Sequence, residues 1–128
     1  MAAVAGIGVD LVEIARLRRL LEGPGGDGLR ERLFTPAERA EAGGQADPAP
    51  HLAVRFAAKE AYGKALGCGI SPPVSWSEIG VVQDAAGKPA LELTGATARH
   101  FAAAGGGRLL VSLGRGRDYA LALVVLER

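Results

Sequence analysis

Two carboxylates and a lysine stand where chemistry is possible. Asp10 closes the run Gly6-Ile7-Gly8-Val9-Asp10, and Glu60 and Lys64 lie four residues apart in Arg55-Phe56-Ala57-Ala58-Lys59-Glu60-Ala61-Tyr62-Gly63-Lys64. A carboxylate at the end of a glycine-rich strand either caps the helix that follows or offers a hard oxygen to a divalent cation. Mg²⁺ suits the second case, because it typically takes one or two carboxylates together with substrate phosphates. Glu60 and Lys64 share a helix face, so they form either a solvated ion pair of a few tenths of a kcal/mol or a base and a cation in one site. Gly67 and Gly69 follow them and would let backbone amides approach a phosphate, although the run matches neither the P-loop nor the dinucleotide fingerprint. Arg16, Arg18 and Arg19 form a basic cluster. It is either an ordinary solvated face or a docking surface for an acidic partner.

These residues need elements to position them. Residues 3–12 combine Val4, Ile7, Val9, Leu11 and Val12 with two glycines and read as a strand. From Glu13 the period changes to that of a helix, with Ile14, Leu17, Leu20 and Leu21 on one side, until Gly23-Pro24-Gly25-Gly26 stops it. Thr35-Pro36 opens a second short helix, with Glu38 placed for a capping box, and Gly43-Gly44 ends it. Residues 43–50 read as the best candidate for a mobile loop. The strongest helix runs from His51 to Leu66. Along it Ala53, Ala57, Ala61 and Ala65 form a stripe against which another element can pack closely. Then come a strand at Ile79–Val82, a turn at Gly87-Lys88-Pro89, a strand at Ala90–Leu93 and a helix at Gly95–Ala104. Leu109–Leu113 and Tyr119–Leu126 read as a hairpin across Gly114-Arg115-Gly116-Arg117. The last strand is almost wholly apolar and should be central or buried between subunits. The pattern predicts an α+β class with a mainly antiparallel sheet packed against a long central helix.

Composition narrows the function. The 128 residues are enough for one domain, read as residues 1–128, and 48% of them are hydrophobic. Fifteen basic against fourteen acidic residues leave a formal charge of +1, which argues against a general nucleic-acid binder. Cys68 is the sole cysteine, so an internal disulfide or a cysteine-based zinc site is excluded and a reducing cytoplasm is compatible. No apolar run approaches the length of a membrane span, and the N-terminus has no basic region of a secretory signal. His51 and His100 carry no catalytic signal and read as structural surface residues.

Taken together, the motifs resemble the holo-acyl-carrier-protein synthase family, the small bacterial 4′-phosphopantetheinyl transferases. Gly6 to Ile14 is similar to the family's opening motif, and Arg55 to Gly67, followed by Gly69-Ile70, to its central signature. Trp76-Ser77-Glu78-Ile79, Gly87-Lys88-Pro89, Val111-Ser112-Leu113 and Tyr119-Ala120 resemble later blocks in the same order. The resemblance implies transfer of 4′-phosphopantetheine from coenzyme A to a serine of an apo acyl carrier protein, of fatty-acid or polyketide synthesis, with release of 3′,5′-ADP. It implies a Mg²⁺ held by Asp10 and Glu60, with Glu60 and Lys64 as catalytic residues. It further implies coenzyme A contacts at Arg55, Lys64, Gly67, Gly69, Lys88 and Pro89, with Arg115, which departs from the family pattern, read as a further anion contact for coenzyme A. Arg16 and Arg19 would face the carrier protein. A homotrimer with active sites between subunits, in the cytoplasm and without nucleic acid or membrane as partner, completes the expectation.

The closing strand departs from the family pattern. Many members carry histidine where this chain has Leu110, and a polar, acidic group where it has Gly114-Arg115-Gly116; Cys68 replaces a residue that is often threonine. Leu110 cannot accept a proton, which leaves Glu60, or else Asp10, as the base and frees Arg115 for an anion. The same departure motivates an alternative, a family member that binds the carrier protein with impaired turnover.

Overall fold

The computed structural model describes residues 2–128. Strand β1 (Val4–Glu13) leads without a gap into α1 (Ile14–Glu22), followed by α2 (Gly26–Leu33), α3 (Pro36–Gly43) and α4 (Pro48–Leu66). A single 3-10 turn, Trp76–Glu78, then introduces β2 (Ile79–Gln83), β3 (Pro89–Leu93), α5 (Gly95–Ala103), β4 (Arg108–Arg115) and β5 (Tyr119–Glu127). The strands form two antiparallel sheets, one in the order β1-β5-β4 and one of β2 with β3. The expected α+β class and central last strand are both found.

Helix α4 lies across the three-stranded sheet, against β1 and β5. Ala57, Ala61 and Ala65 meet Ala122 and Val124 there in a core almost without large side chains. Two glycines make the approach possible. A Cβ on Gly6 would overlap the Ala65 carbonyl, and one on Gly8 the Ala61 carbonyl. Period-two alternation therefore turns Gly6, Gly8 and Asp10 toward the helix and Ile7, Val9 and Leu11 away from it. The outward residues are 62%, 52% and 59% exposed. A strand normally buries its large residues and exposes its small ones; β1 does the reverse because backbone-to-backbone proximity to α4 is what it supplies.

A second fixed point is ionic. Lys59 and Glu38 are 0% and 2% exposed and joined at 2.7 Å. The ammonium also donates to the carbonyls of Trp76 (3.0 Å) and Ile79 (2.6 Å). Glu38 accepts from the amides of Thr35 (2.9 Å) and Val81 (2.8 Å). Every charge is thus met, as a buried pair requires. Burial pushes the Lys59 pKa down, and the Glu38 carboxylate opposes that shift. The Thr35 capping box expected from sequence is one arm of this network.

Three expectations need correction. Helix α2 was not expected, because Gly26 and Gly28 lower its intrinsic propensity; it is held by burial of Leu33, packing of Leu29 and an Arg30 Nη1 bond to the Leu21 carbonyl (3.0 Å). Helix α4 begins at Pro48 rather than His51, with Asp47 accepting from the Ala49 amide and pairing with Arg18 at 2.6 Å. The expected mobile loop at 43–50 therefore shrinks to the four residues 44–47. The closing hairpin turns at 116–118, since Gly114 and Arg115 still pair with Leu121 and Ala120.

Two glycine substitutions should act in opposite directions, the first testing the β1–α4 contact and the second serving as its control in an open helix position. Gly8→Ala must push the strand off the helix, and we expect a loss of at least about 2 kcal/mol in urea unfolding. Gly28→Ala meets nothing within 4 Å in α2 and should gain roughly 0.5–1 kcal/mol. A neutral Gly8→Ala would refute the close approach.

Candidate active site

Because β1 runs so close to α4, Asp10 reaches across to it. Lys64 Nζ donates to Asp10 Oδ1 and to the Val9 carbonyl, both at 3.0 Å. This decides both local alternatives. Asp10 does not cap α1, whose N-cap is Glu13 without a side-chain capping bond. Lys64 does not pair with Glu60 one turn away; it is paired with Asp10. Glu60 Oε1 instead accepts from the indole Nε1 of Trp76 at 3.0 Å.

Asp10 and Glu60 line one cavity of about 500 Å³, together with Glu13, Arg16, Leu17, Phe56 and Tyr119. Its floor is hydrophobic and its carboxylates come from two different elements, β1 and α4. Arg16 sits at this cavity, whereas Arg19 is exposed and lies 3.8 Å from Glu13. Among the described residues no cluster of three or more His, Cys, Asp or Glu side chains forms a closed metal cage. Two hard carboxylates facing open space nevertheless fit Mg²⁺, which is commonly completed by water and substrate phosphate rather than by protein. Asp10 and Glu60 each keep one oxygen without a protein partner, so the donor set is chemically suitable.

Arg55 and Pro89 do not face this cavity. They line another, of about 530 Å³, with Glu41, His51, Gln83 and Leu113. The Arg55 guanidinium bonds the His51 carbonyl at 2.9 Å and approaches Glu41 at 3.7 Å. Burial lowers the pKa of both His51 and Arg55, and the Arg115 charge pushes the same way in each. Arg55 Nε and His51 Nε2 are buried without hydrogen-bond partners. The cavity thus holds a guanidinium and an imidazole with unused donor capacity beside the Glu41 carboxylate, and the guanidinium is the group suited to an anion. His51 carries no such signal in the sequence, because Glu41 and Arg115, whose charges act on it, come from other elements.

The remaining expected contacts are spread out. Lys88 is exposed in the β2–β3 turn. Gly67 ends α4 in the left-handed conformation, and the amides of Gly67, Cys68 and Gly69 donate back to the Lys64 and Gly63 carbonyls. Those amides are spent on the helix end, so Gly67 and Gly69 offer close approach rather than donors. Trp76 stood out in sequence only as part of the Trp76-Ser77-Glu78-Ile79 block and as the sole tryptophan, with no sign that it partners Glu60.

A model of the 4′-phosphopantetheinyl transferase superfamily matches residues 6–124. A holo-[acyl-carrier-protein] synthase of Syntrophotalea carbinolica is 50% identical over 127 residues, covering 99% of this chain and 98% of that protein. The chain belongs to the holo-[acyl-carrier-protein] synthase family. It is accordingly an enzyme of the transferase class. The fold agrees: the crystal structure of the Neisseria meningitidis synthase superposes with a TM-score of 0.90 at 38% identity, covering 98% of this chain and all of that one. The Bacillus anthracis synthase, solved in complex with coenzyme A (3′,5′-ADP), superposes with a TM-score of 0.79 at 36% identity, covering 97% and 96% of the two chains. Among the described residues no helix is long and apolar enough to cross a membrane.

The isosteric variants Asp10→Asn and Glu60→Gln should keep the melting temperature within a few degrees. Each should weaken Mn²⁺ binding at least about tenfold in calorimetry with coenzyme A present. Unchanged affinity in both would remove the carboxylates from the cation site.

Proposed function

We propose that this enzyme transfers the 4′-phosphopantetheine arm of coenzyme A to a serine hydroxyl of an apo acyl carrier protein, leaving 3′,5′-ADP. The observation that carries this reading is the convergence of Asp10 and Glu60 on one cavity, with the Lys64 ammonium against Asp10. The serine oxygen forms a bond to the phosphorus that bears pantetheine. The bond from that phosphorus to the bridging oxygen of the pyrophosphate breaks, and the electron pair leaves with 3′,5′-ADP. Asp10 and Glu60 would hold a Mg²⁺, which when bound would supply charge neutralisation at the pyrophosphate. Lys64 adds a fixed positive charge beside the same oxygens. Glu60 takes the serine proton, directly or through a water. Leu110 shares the outward sheet face with Val125 and Ile7, the face opposite Asp10. A histidine there would not reach the carboxylates of its own protomer.

The same outward face supports a homotrimer. Ile7, Val9, Leu11, Tyr119 and Leu121 are all more than 40% exposed on it. A contiguous apolar surface of this kind is a protein interface. Closing the ring lets the Arg55–His51–Pro89 cavity of one protomer face the Asp10–Glu60 cavity of the next, with Lys88 and Arg115 at the join. The expected coenzyme A contacts, split between two cavities in a single chain, would then serve one ligand. Arg16 and Arg19 would steer an acidic carrier protein toward it.

The deciding assay incubates the protein with coenzyme A, Mg²⁺ and an apo carrier protein and weighs the carrier. We expect a gain of one phosphopantetheine, and a rate loss on the order of 10²-fold or more in Asp10→Ala and in Glu60→Ala. A carrier that binds but gains no mass would select the binding-only alternative. Light scattering at micromolar concentration should give a trimer mass that Val9→Asp reduces to the monomer. A monomeric wild-type chain would refute the assembly.

A further inference from the structure

Glu60 has two partners within reach of its own side chain. Lys64 stands one turn further along α4, the ordinary i,i+4 spacing of a helical ion pair. Trp76 lies beyond α4, on the 3-10 turn. The carboxylate bonds the indole N–H at 3.0 Å, and Lys64 is left to Asp10. The half-buried Glu60 thus takes a neutral donor from outside its own helix while the lysine at i+4 is engaged by Asp10.

Trp76 is held from several sides. Its backbone carbonyl accepts from Lys59 Nζ at 3.0 Å, and Lys59 is locked in the buried pair with Glu38. Lys59 is the residue before Glu60 on the same helix, so α4 grips the tryptophan backbone with one side chain and receives its indole with the next. The Arg32 guanidinium lies 5.6 Å from the ring centroid, a cation–π contact from α2. On the other flank of the turn, Glu78 accepts from the Thr97 amide (3.1 Å), the Thr97 hydroxyl (2.9 Å) and the Ala96 amide (3.2 Å). The Ser75 amide donates to the Thr97 hydroxyl at 2.9 Å. A three-residue turn has no rigidity of its own; here α2, α4 and α5 all restrain it.

We propose that Trp76 is a positioning residue for Glu60. It occupies Oε1, aims the other oxygen into the cavity, and keeps the carboxylate from collapsing onto Lys64. Lys64 in turn stays with Asp10, so one indole bond keeps both carboxylates apart and separately oriented. The inference rests on the reading that Asp10 and Glu60 hold a divalent cation. A ligand carboxylate whose second oxygen is fixed by a protein donor is better oriented and loses less freedom on binding.

The chain's only tryptophan makes the bond directly observable. In a ¹⁵N–¹H spectrum of the full-length protein with coenzyme A, the single indole resonance should shift when Mg²⁺ is added. It should shift already, without cation, in Glu60→Gln. Trp76→Phe keeps most of the ring and removes the donor. It should melt within a few degrees of the wild type and weaken Mn²⁺ binding on the order of tenfold in calorimetry. It should also raise the Mg²⁺ concentration needed for half-maximal turnover by a similar factor, with the carrier KM unchanged. An indole resonance indifferent to both Mg²⁺ and Glu60→Gln would overturn the proposal, whether or not the Trp76→Phe variant folds. Wild-type cation affinity in a folded Trp76→Phe would overturn it as well, while leaving the cation site intact. A wild-type protein that binds no cation would overturn this proposal together with the reading beneath it.

Discussion

The close approach of β1 to α4 is the constraint on which the rest depends. Neither element has chemistry alone: β1 brings one carboxylate, and α4 brings another with a lysine. They meet because Gly6 and Gly8 leave no side chain between the strand and the helix backbone, and because alanines line the helix where it crosses β5. The contact trades hydrophobic volume for proximity. The core beneath α4 is accordingly thin there, and its large residues are displaced to either end, around Phe34 and Leu52 on one side and Tyr62 and Ile79 on the other. Tyr62 is fully buried in that second cluster, and burial pushes its phenol pKa up to about 12.

A thin core needs other means of fixing its elements, and the Lys59–Glu38 pair is one. It joins α3, α4, the 3-10 turn and β2 through five hydrogen bonds made by two side chains. Replacing such a pair by apolar residues is often neutral for stability, but removing one partner leaves a buried charge unmet. Its value lies in direction: two of the bonds reach β2 and one the 3-10 turn, so the pair sets where the turn carrying Trp76 sits relative to the helix carrying Glu60.

Two cavities differ in their polar linings. Asp10, Glu13 and Glu60 line the β1–α4 cavity together with Arg16, and Arg55 and His51 line the α4–β2 cavity together with Glu41, with no lining residue in common. A ligand bearing a pyrophosphate and a further phosphate has use for both environments, one through a cation and one directly. The outward face of the sheet, with Ile7, Val9 and Leu11 exposed, lies apart from both cavities' polar groups.

The sequence by itself determined the kinds of elements and the reactive residue types. Period-two and period-3.6 patterns, glycine stops and the Thr35 cap are local signals that act within a few residues, and most of the predicted elements stand in the structure. Asp10, Glu60 and Lys64 stood out for the same reason, as did the family resemblance carried by the motifs around them. Tertiary structure decided which partner each side chain takes. Lys64 bonds a residue 54 positions away in preference to the glutamate beside it, and Glu60 bonds one 16 positions away. It decided α2, whose glycines argue against a helix that burial of Leu33 maintains. It also placed Arg55 and His51 in a different cavity from Glu60, although all three share α4. A nineteen-residue helix spans several turns, and residues on one helix need not face one site. Local spacing fixes direction along an element; only the packing of distant elements fixes what that direction meets.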